Sequence, residues 1–189
     1  MQKIQQLLEE ANNLLDQDRI QEAILIYEQI LAINPNEIQS LINISDCYLK
    51  ILMDQKALKY AKRAFELHRF EDDMAVVNYS SALISLRKLD DAIQILEDCK
   101  KLESANDLIY NNLGYAYHLK KDFTNALSNY NISIALEEVN PLAYCNRGNL
   151  KYFILNDNSG ISDLELAEKY GDFEASMLLQ KVKRNFTLS

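Results

Sequence analysis

Residues 107–140 read DLIYNNLGYAYHLKKDFTNALSNYNISIALEEVN, with large residues at positions 4, 11 and 24 of the stretch (Tyr110, Tyr117, Tyr130) and small ones at 8 and 20 (Gly114, Ala126). Two short antiparallel helices that cross closely need this division. Small side chains let the backbones approach, and large ones fill the space beside the crossing. Outward from this stretch, the small residue at position 20 returns as Ala23, Ala57, Ala92, Ala126 and Gly160, at separations of 34, 35, 34 and 34 residues. A period of that length marks an all-helical repeat architecture. It divides the chain into repeats 4–37, 38–71, 73–106, 107–140 and 141–174, with Asp72 left over as an insertion.

Columns not used to set the frame agree with it. Position 24 reads Tyr27, Ala61, Leu96, Tyr130 and Leu164; position 8 reads Ala11, Ser45, Ser80, Gly114 and Gly148. Position 11 reads Leu14, Tyr48, Leu83, Tyr117 and Lys151, apolar in four of five. The pattern resembles the tetratricopeptide repeat. Tyr110–Tyr117 and Tyr144–Gly148 reproduce that family's first-helix signature, and Asn34-Pro35 its terminal proline. Repeats 2 and 3 depart from it, with Arg69 and Ser104 in place of that proline. The resemblance implies an all-α fold, a right-handed α-solenoid of about five helix-turn-helix repeats in a single domain over residues 1–189.

The spacing predicts helices near 3–16, 20–33, 37–51, 54–68, 73–86, 89–102, 107–120, 123–137, 141–154 and 158–169. Asp18, Asp54, Asp90, Asp157 and Asn140 stand where N-caps are expected. In 173–186, Ala175, Leu178, Leu179 and Val182 share one helical face, which predicts a capping helix over the end of the stack. Gly160 stands where the other repeats have alanine. In ordinary right-handed helix, Gly160→Ala is expected to stabilise by roughly 0.4 to 1 kcal/mol.

A net charge of −8 argues against broad binding to nucleic acid, because counterion release needs clustered lysine and arginine. One local cluster, Lys56, Lys59, Lys62, Arg63, His68 and Arg69, reads either as a solvated helix face or as a surface for an acidic partner. The opening MQKIQQ lacks the basic-then-apolar run of a secretory signal, and no stretch reaches the ~18 apolar residues of a membrane span, so a cytoplasmic protein without membrane association is expected. Cys47, Cys99 and Cys145, odd in number and widely spaced, read as buried thiols rather than disulfides or metal ligands. His68 and His118 have no cysteine or serine at a recognisable spacing, and no glycine-rich phosphate loop exists; neither catalysis, nor a cofactor, nor a metal is expected.

In the tetratricopeptide family the first helices line a concave groove, with positions 2, 5, 6, 9, 12 and 13 turned inward. Position 6 then carries Asn43, Asn78, Asn112 and Asn146, a ladder whose amides can pair with an extended peptide backbone. Asn12 and Asn149 at position 9, with Tyr115 and Tyr152 at 9 and 12, complete the expected peptide-binding groove. The ladder also fits a second reading, inheritance from the repeat consensus. Leu8, Leu15, Ile42, Leu49, Val77, Ile84, Leu108 and Leu142 are expected as apolar groove surface, and Lys50 as its only cation. The family's clamp for acidic C-terminal tails of heat-shock chaperones requires three cations that no window of this chain supplies, so those tails are excluded as partners. The expected function is a protein-protein interaction scaffold or adaptor for a peptide with apolar anchors. The alternative is an assembly subunit or specialised chaperone using its convex face, edge or last helix, with self-association compatible with it.

Overall fold

The structure, a computed structural model, describes residues 2–102 and 105–187, so Ser104 lies outside the described residues. Among them are eleven α-helices and no strand: α1 (Gln2–Asp16), α2 (Ile20–Ile33), α3 (Ile38–Lys50), α4 (Asp54–His68), α5 (Asp73–Ser85), α6 (Leu89–Lys100), α7 (Asp107–Leu119), α8 (Phe123–Leu136), α9 (Pro141–Asn149), α10 (Ser159–Lys169) and α11 (Phe173–Thr187). The chain forms two compact units, one up to Ile95 and one from Leu96. In the first, α1 to α5 each pack on the next; in the second, α7 to α11 do the same.

The repeat columns are the cores of these hairpins. At position 20, Ala23, Ala57, Ala92 and Ala126 have no exposed surface, and at position 24 neither do Tyr27, Ala61, Leu96, Tyr130 and Leu164. In repeats 4 and 5 the large side chain at 24 lies over the glycine at 8: a Cβ added to Gly114 would fall 2.6 Å from the Tyr130 ring, and one added to Gly148 2.9 Å from Leu164 Cγ. In the C-terminal unit, α11 buries Ala175, Leu178, Leu179 and Val182 against Cys145, Leu164 and Ala167, as its apolar face predicted.

Four hairpins turn identically. At position 15 of repeats 1 to 4, Asp18, Leu52, Arg87 and Lys121 adopt left-handed backbone, with φ of 57, 58, 59 and 64°. The following amides of Arg19, Met53, Lys88 and Asp122 reach back to the carbonyls of Leu14, Tyr48, Leu83 and Tyr117. This Schellman arrangement satisfies the last carbonyls of each first helix and reverses the chain within a few residues. Asp18 is therefore the turn residue of its hairpin and not an N-cap; Arg19 precedes α2 without a side-chain cap. Asp54 and Asp90 likewise sit inside the first turns of α4 and α6, where they complement the helix dipole. Asn140 does cap α9, accepting from the Ala143 amide at 2.9 Å with Pro141 at the first helical position. The inserted Asp72 has the same role at α5, accepting from Ala75 at 3.1 Å after a 3-10 turn over Arg69–Glu71.

Repeat 5 differs. Its first helix ends at Asn149 and continues as a π turn, Leu150–Ile154, in which the Leu155 amide bonds the Leu150 carbonyl at 3.1 Å. The left-handed residue moves one place on, to Asn156 with φ of 54°. The second helix consequently starts two positions later in the frame than in the other repeats. Such turns mark places where a helix must accommodate a local misfit, frequently beside functional surface.

Candidate binding surface

In the N-terminal unit the expected groove asparagines hold the fold together. Gln39 Nε2 donates to Asn43 Oδ1 at 2.8 Å, Asn43 Nδ2 to Tyr27 Oη at 3.0 Å, and Tyr27 Oη to Asn12 Oδ1 at 3.0 Å. This chain ties α1, α2 and α3 through a phenol that is otherwise fully buried. Burial is also the main reason the Tyr27 pKa is raised. Asn78 is 4% exposed and donates to the Ile42 carbonyl at 3.0 Å, joining α5 to α3. It lies beneath the surface that a peptide could touch.

In the C-terminal unit, Asn146 on α9 donates to Asn111 Oδ1 on α7 at 2.9 Å, and Asn111 is only 2% exposed. Asn112, Asn149 and Tyr152 are half-buried, while Tyr115 is 39% and Leu142 43% exposed. Tyr115 and Phe123 flank the His118 ring edge-on, and burial holds the His118 pKa below its ordinary value. Below Asn146, α9 is fixed by charge. Asp163 on α10 accepts from Arg147 at 2.6 and 2.9 Å and pairs with Lys151 at 2.9 Å. Arg147 also reaches Asn131 Oδ1 at 2.7 Å and lies over the Tyr144 ring.

Tyr27 and Tyr130 occupy one column but differ in their hydroxyls. Tyr27 has two asparagine partners; Tyr130 Oη is buried with none among the described residues, because Tyr115 replaces the asparagine of Asn12's column and Asn146 turns to Asn111. Tyr27→Phe is expected to cost about 1 to 2 kcal/mol, since it strands two amides, whereas Tyr130→Phe is expected to be neutral or stabilising. Urea midpoints of both variants check this. An equal loss in both would contradict the structural role of Asn12 and Asn43.

The expected apolar groove surface is thinner than the sequence implied. Ile42, Val77 and Ile84 are buried, consumed by packing between neighbouring helices. Leu8, Leu15, Leu49 and Leu108 are half-buried, and Leu142 is exposed. Lys50 pairs with Asp46 at 2.8 Å, and the hydrogen bond to that carboxylate raises its pKa, so the expected cation stays charged but has a carboxylate partner on its own helix. All three cysteines are buried and none forms a disulfide; burial pushes the Cys47 thiol up to about 11. Among the described residues no cluster of His, Cys, Asp or Glu could hold a metal ion, and no helix is long and apolar enough to cross a membrane.

Helical hairpins with these packing columns define an all-α helical-repeat protein. Residues 108–140 match the family model described as tetratricopeptide repeat. The crystal structure of TTC0263, a thermophilic TPR protein of Thermus thermophilus, aligns with a TM-score of 0.82 over 95% of this chain and 97% of that one, at 17% identity. YrrB, described as a TPR protein with an unusual peptide-binding site, aligns with a TM-score of 0.59 over 93% of this chain and 90% of that one, at 16% identity. A curated relative, a BBSome complex member BBS4 homolog of Drosophila melanogaster, is 28% identical over 120 residues. That match spans 64% of this chain and 25% of the relative's length. Residues 108–140 are thus matched as one tetratricopeptide repeat, and the chain shares the all-α helical-repeat fold of these solved TPR structures.

Proposed function

We propose that this protein is a non-catalytic interaction scaffold that binds an extended peptide with apolar anchors on the first-helix face of its C-terminal unit. The observation that carries the reading is the side-chain set on α7 and α9. Tyr115 and Leu142 offer exposed aromatic and apolar surface, while Asn146 and Asn149 on α9 and Tyr152 in the π turn that continues it keep amide and phenol groups on the same segment. An amide carries two donor hydrogens and an acceptor with two lone pairs, so Asn146 retains bonding capacity beyond its bond to Asn111. Exposed aromatics supply contact area at small entropic cost, and amides pair with backbone without reading sequence. In the N-terminal unit, Asn12 and Asn43 are assigned to the fold and Asn78 is left out of the groove, so the ladder is shorter than four members. The likeness to YrrB, a repeat protein with a peptide-binding site, supports the reading at the level of the class. Buried cysteines outside disulfides suit a reducing compartment, and we place the protein in the cytoplasm.

A second reading rests on α11, where Phe173 is 77% and Met177 45% exposed one turn apart. Apolar side chains so placed on a terminal helix suit an assembly subunit that docks there. Affinity capture with the intact protein, with Tyr115→Ala/Leu142→Ala and with Phe173→Ser/Met177→Ser separates the two. Loss of the captured partner in the first variant alone supports the peptide scaffold; loss in the second alone supports docking through α11.

A further inference from the structure

The basic cluster on α4 is not used by the proposed peptide face. Lys59, Lys62 and Arg63 stand on one side of that helix and rim a cleft of about 470 Å³ floored by Leu31, Pro35 and Tyr60. We infer that this cleft docks an acidic segment of a partner protein, one apolar side chain entering the floor and flanking carboxylates meeting the rim.

The charge balance selects the occupant. In a chain of net charge −8, this rim holds three cations and one carboxylate, Glu66. The Lys62 to Glu66 pair is long, at 3.7 Å, and both side chains are more than half exposed, so it competes weakly with an incoming carboxylate. Arg63 gives one N–H to Asn36 Oδ1 at 2.6 Å, which orients the guanidinium and leaves the rest of its five-donor fork for a carboxylate. Lys59 lies 5.4 Å from the centre of the Tyr60 ring, holding its charge at the edge of the apolar floor. Among the described residues, neither Lys59 nor Arg63 forms an ion pair. A wholly apolar ligand would leave these cations beside a dry contact without counter-charge, and a basic one would be repelled; an acidic segment with a single anchor answers both.

The test is selection of peptides from a random-sequence display library on the intact protein, with Lys59→Glu/Arg63→Glu as counter-target. Both positions are exposed, and circular dichroism confirms that the variant folds. Enriched peptides should carry Asp or Glu flanking an apolar residue. A synthetic copy of one should bind the parent at least tenfold more tightly than the variant, lose affinity as salt is raised, and regain it on the variant when its carboxylates are replaced by lysine. The inference is overturned if no peptide is enriched, if enriched peptides lack carboxylates, or if parent and variant bind equally. It is also overturned in favour of a second copy of this chain if the protein self-associates in dilute solution and the same variant is monomeric. Because Tyr115→Ala/Leu142→Ala should leave this binding unchanged, failure here does not decide the peptide face on α7 and α9.

Discussion

Asp163→Ala is expected to lower unfolding free energy by about 3 to 5 kcal/mol, the cost of leaving buried charge without its partner. The Asp163 side chain is 7% exposed, and its two cations, Arg147 and Lys151, are 15% and 21% exposed. Removing the carboxylate strands Arg147 on α9 and Lys151 in the π turn, and leaves α10 without its charged attachment to that segment. The loss should be read as a shift of the urea midpoint. Asp163→Asn, which keeps the shape and one acceptor, should lose less. Because Arg147 neighbours Asn146, the alanine variant should also loosen the proposed peptide face. A midpoint shift worth less than about 1 kcal/mol in both variants would show that the cluster is solvated in solution.

Gly160→Ala is expected to destabilise by about 1 to 3 kcal/mol through overpacking, the reverse of the gain its helical position suggested. A Cβ there would lie 2.6 Å from the Gly148 carbonyl oxygen, 2.7 Å from the Tyr152 amide nitrogen and 2.9 Å from Lys151 Cβ. Two of these atoms are backbone, so a helix or the π turn must move. Gly148 is in the reciprocal position, its added Cβ 2.8 Å from the Gly160 carbonyl. In repeat 4 the corresponding crossing is glycine on alanine, Gly114 on Ala126; in repeat 5 it is glycine on glycine. The π turn brings the Tyr152 backbone into the space an alanine would need. Thermal unfolding of Gly160→Ala checks this, and a raised midpoint would contradict the close crossing.

These two sites show where sequence is a sufficient guide and where it is not. Columns 8, 20 and 24 gave the helices because each repeats one local steric requirement, and most boundaries fall within two residues of expectation. The glycine at 160 satisfied the column for small residues, but how closely two backbones approach depends on both partners and on the π turn, which has no composition of its own. The Asp163 cluster did leave a trace. Lys151 is the one charged residue in an otherwise apolar column, and a lysine held there needs a nearby carboxylate. The groove was less legible than the core. An asparagine at position 6 reads the same whether it faces solvent or, like Asn78, donates to a neighbouring carbonyl. Tyr27, Gln39 and Asn111, which engage Asn12, Asn43 and Asn146, were not among the expected site residues. The buried phenol at Tyr27 was the available signal, since a hydroxyl inside a core requires a partner.

The internal bond of Asn146 also decides how the proposed function should be tested. Asn146→Ala would strand buried Asn111 and confound binding with folding, so exposed Tyr115 and Leu142 are the better probes. The most direct measurement is calorimetric titration of the segment captured through this face against the parent, Tyr115→Ala/Leu142→Ala and Lys59→Glu/Arg63→Glu, each checked for helix content. The segment should bind the parent and the charge-reversed protein alike and the first variant about tenfold or more weakly, because apolar anchors must supply most of the ~8 kcal/mol behind micromolar affinity. Equal affinity for Tyr115→Ala/Leu142→Ala and the parent would contradict peptide binding on α7 and α9.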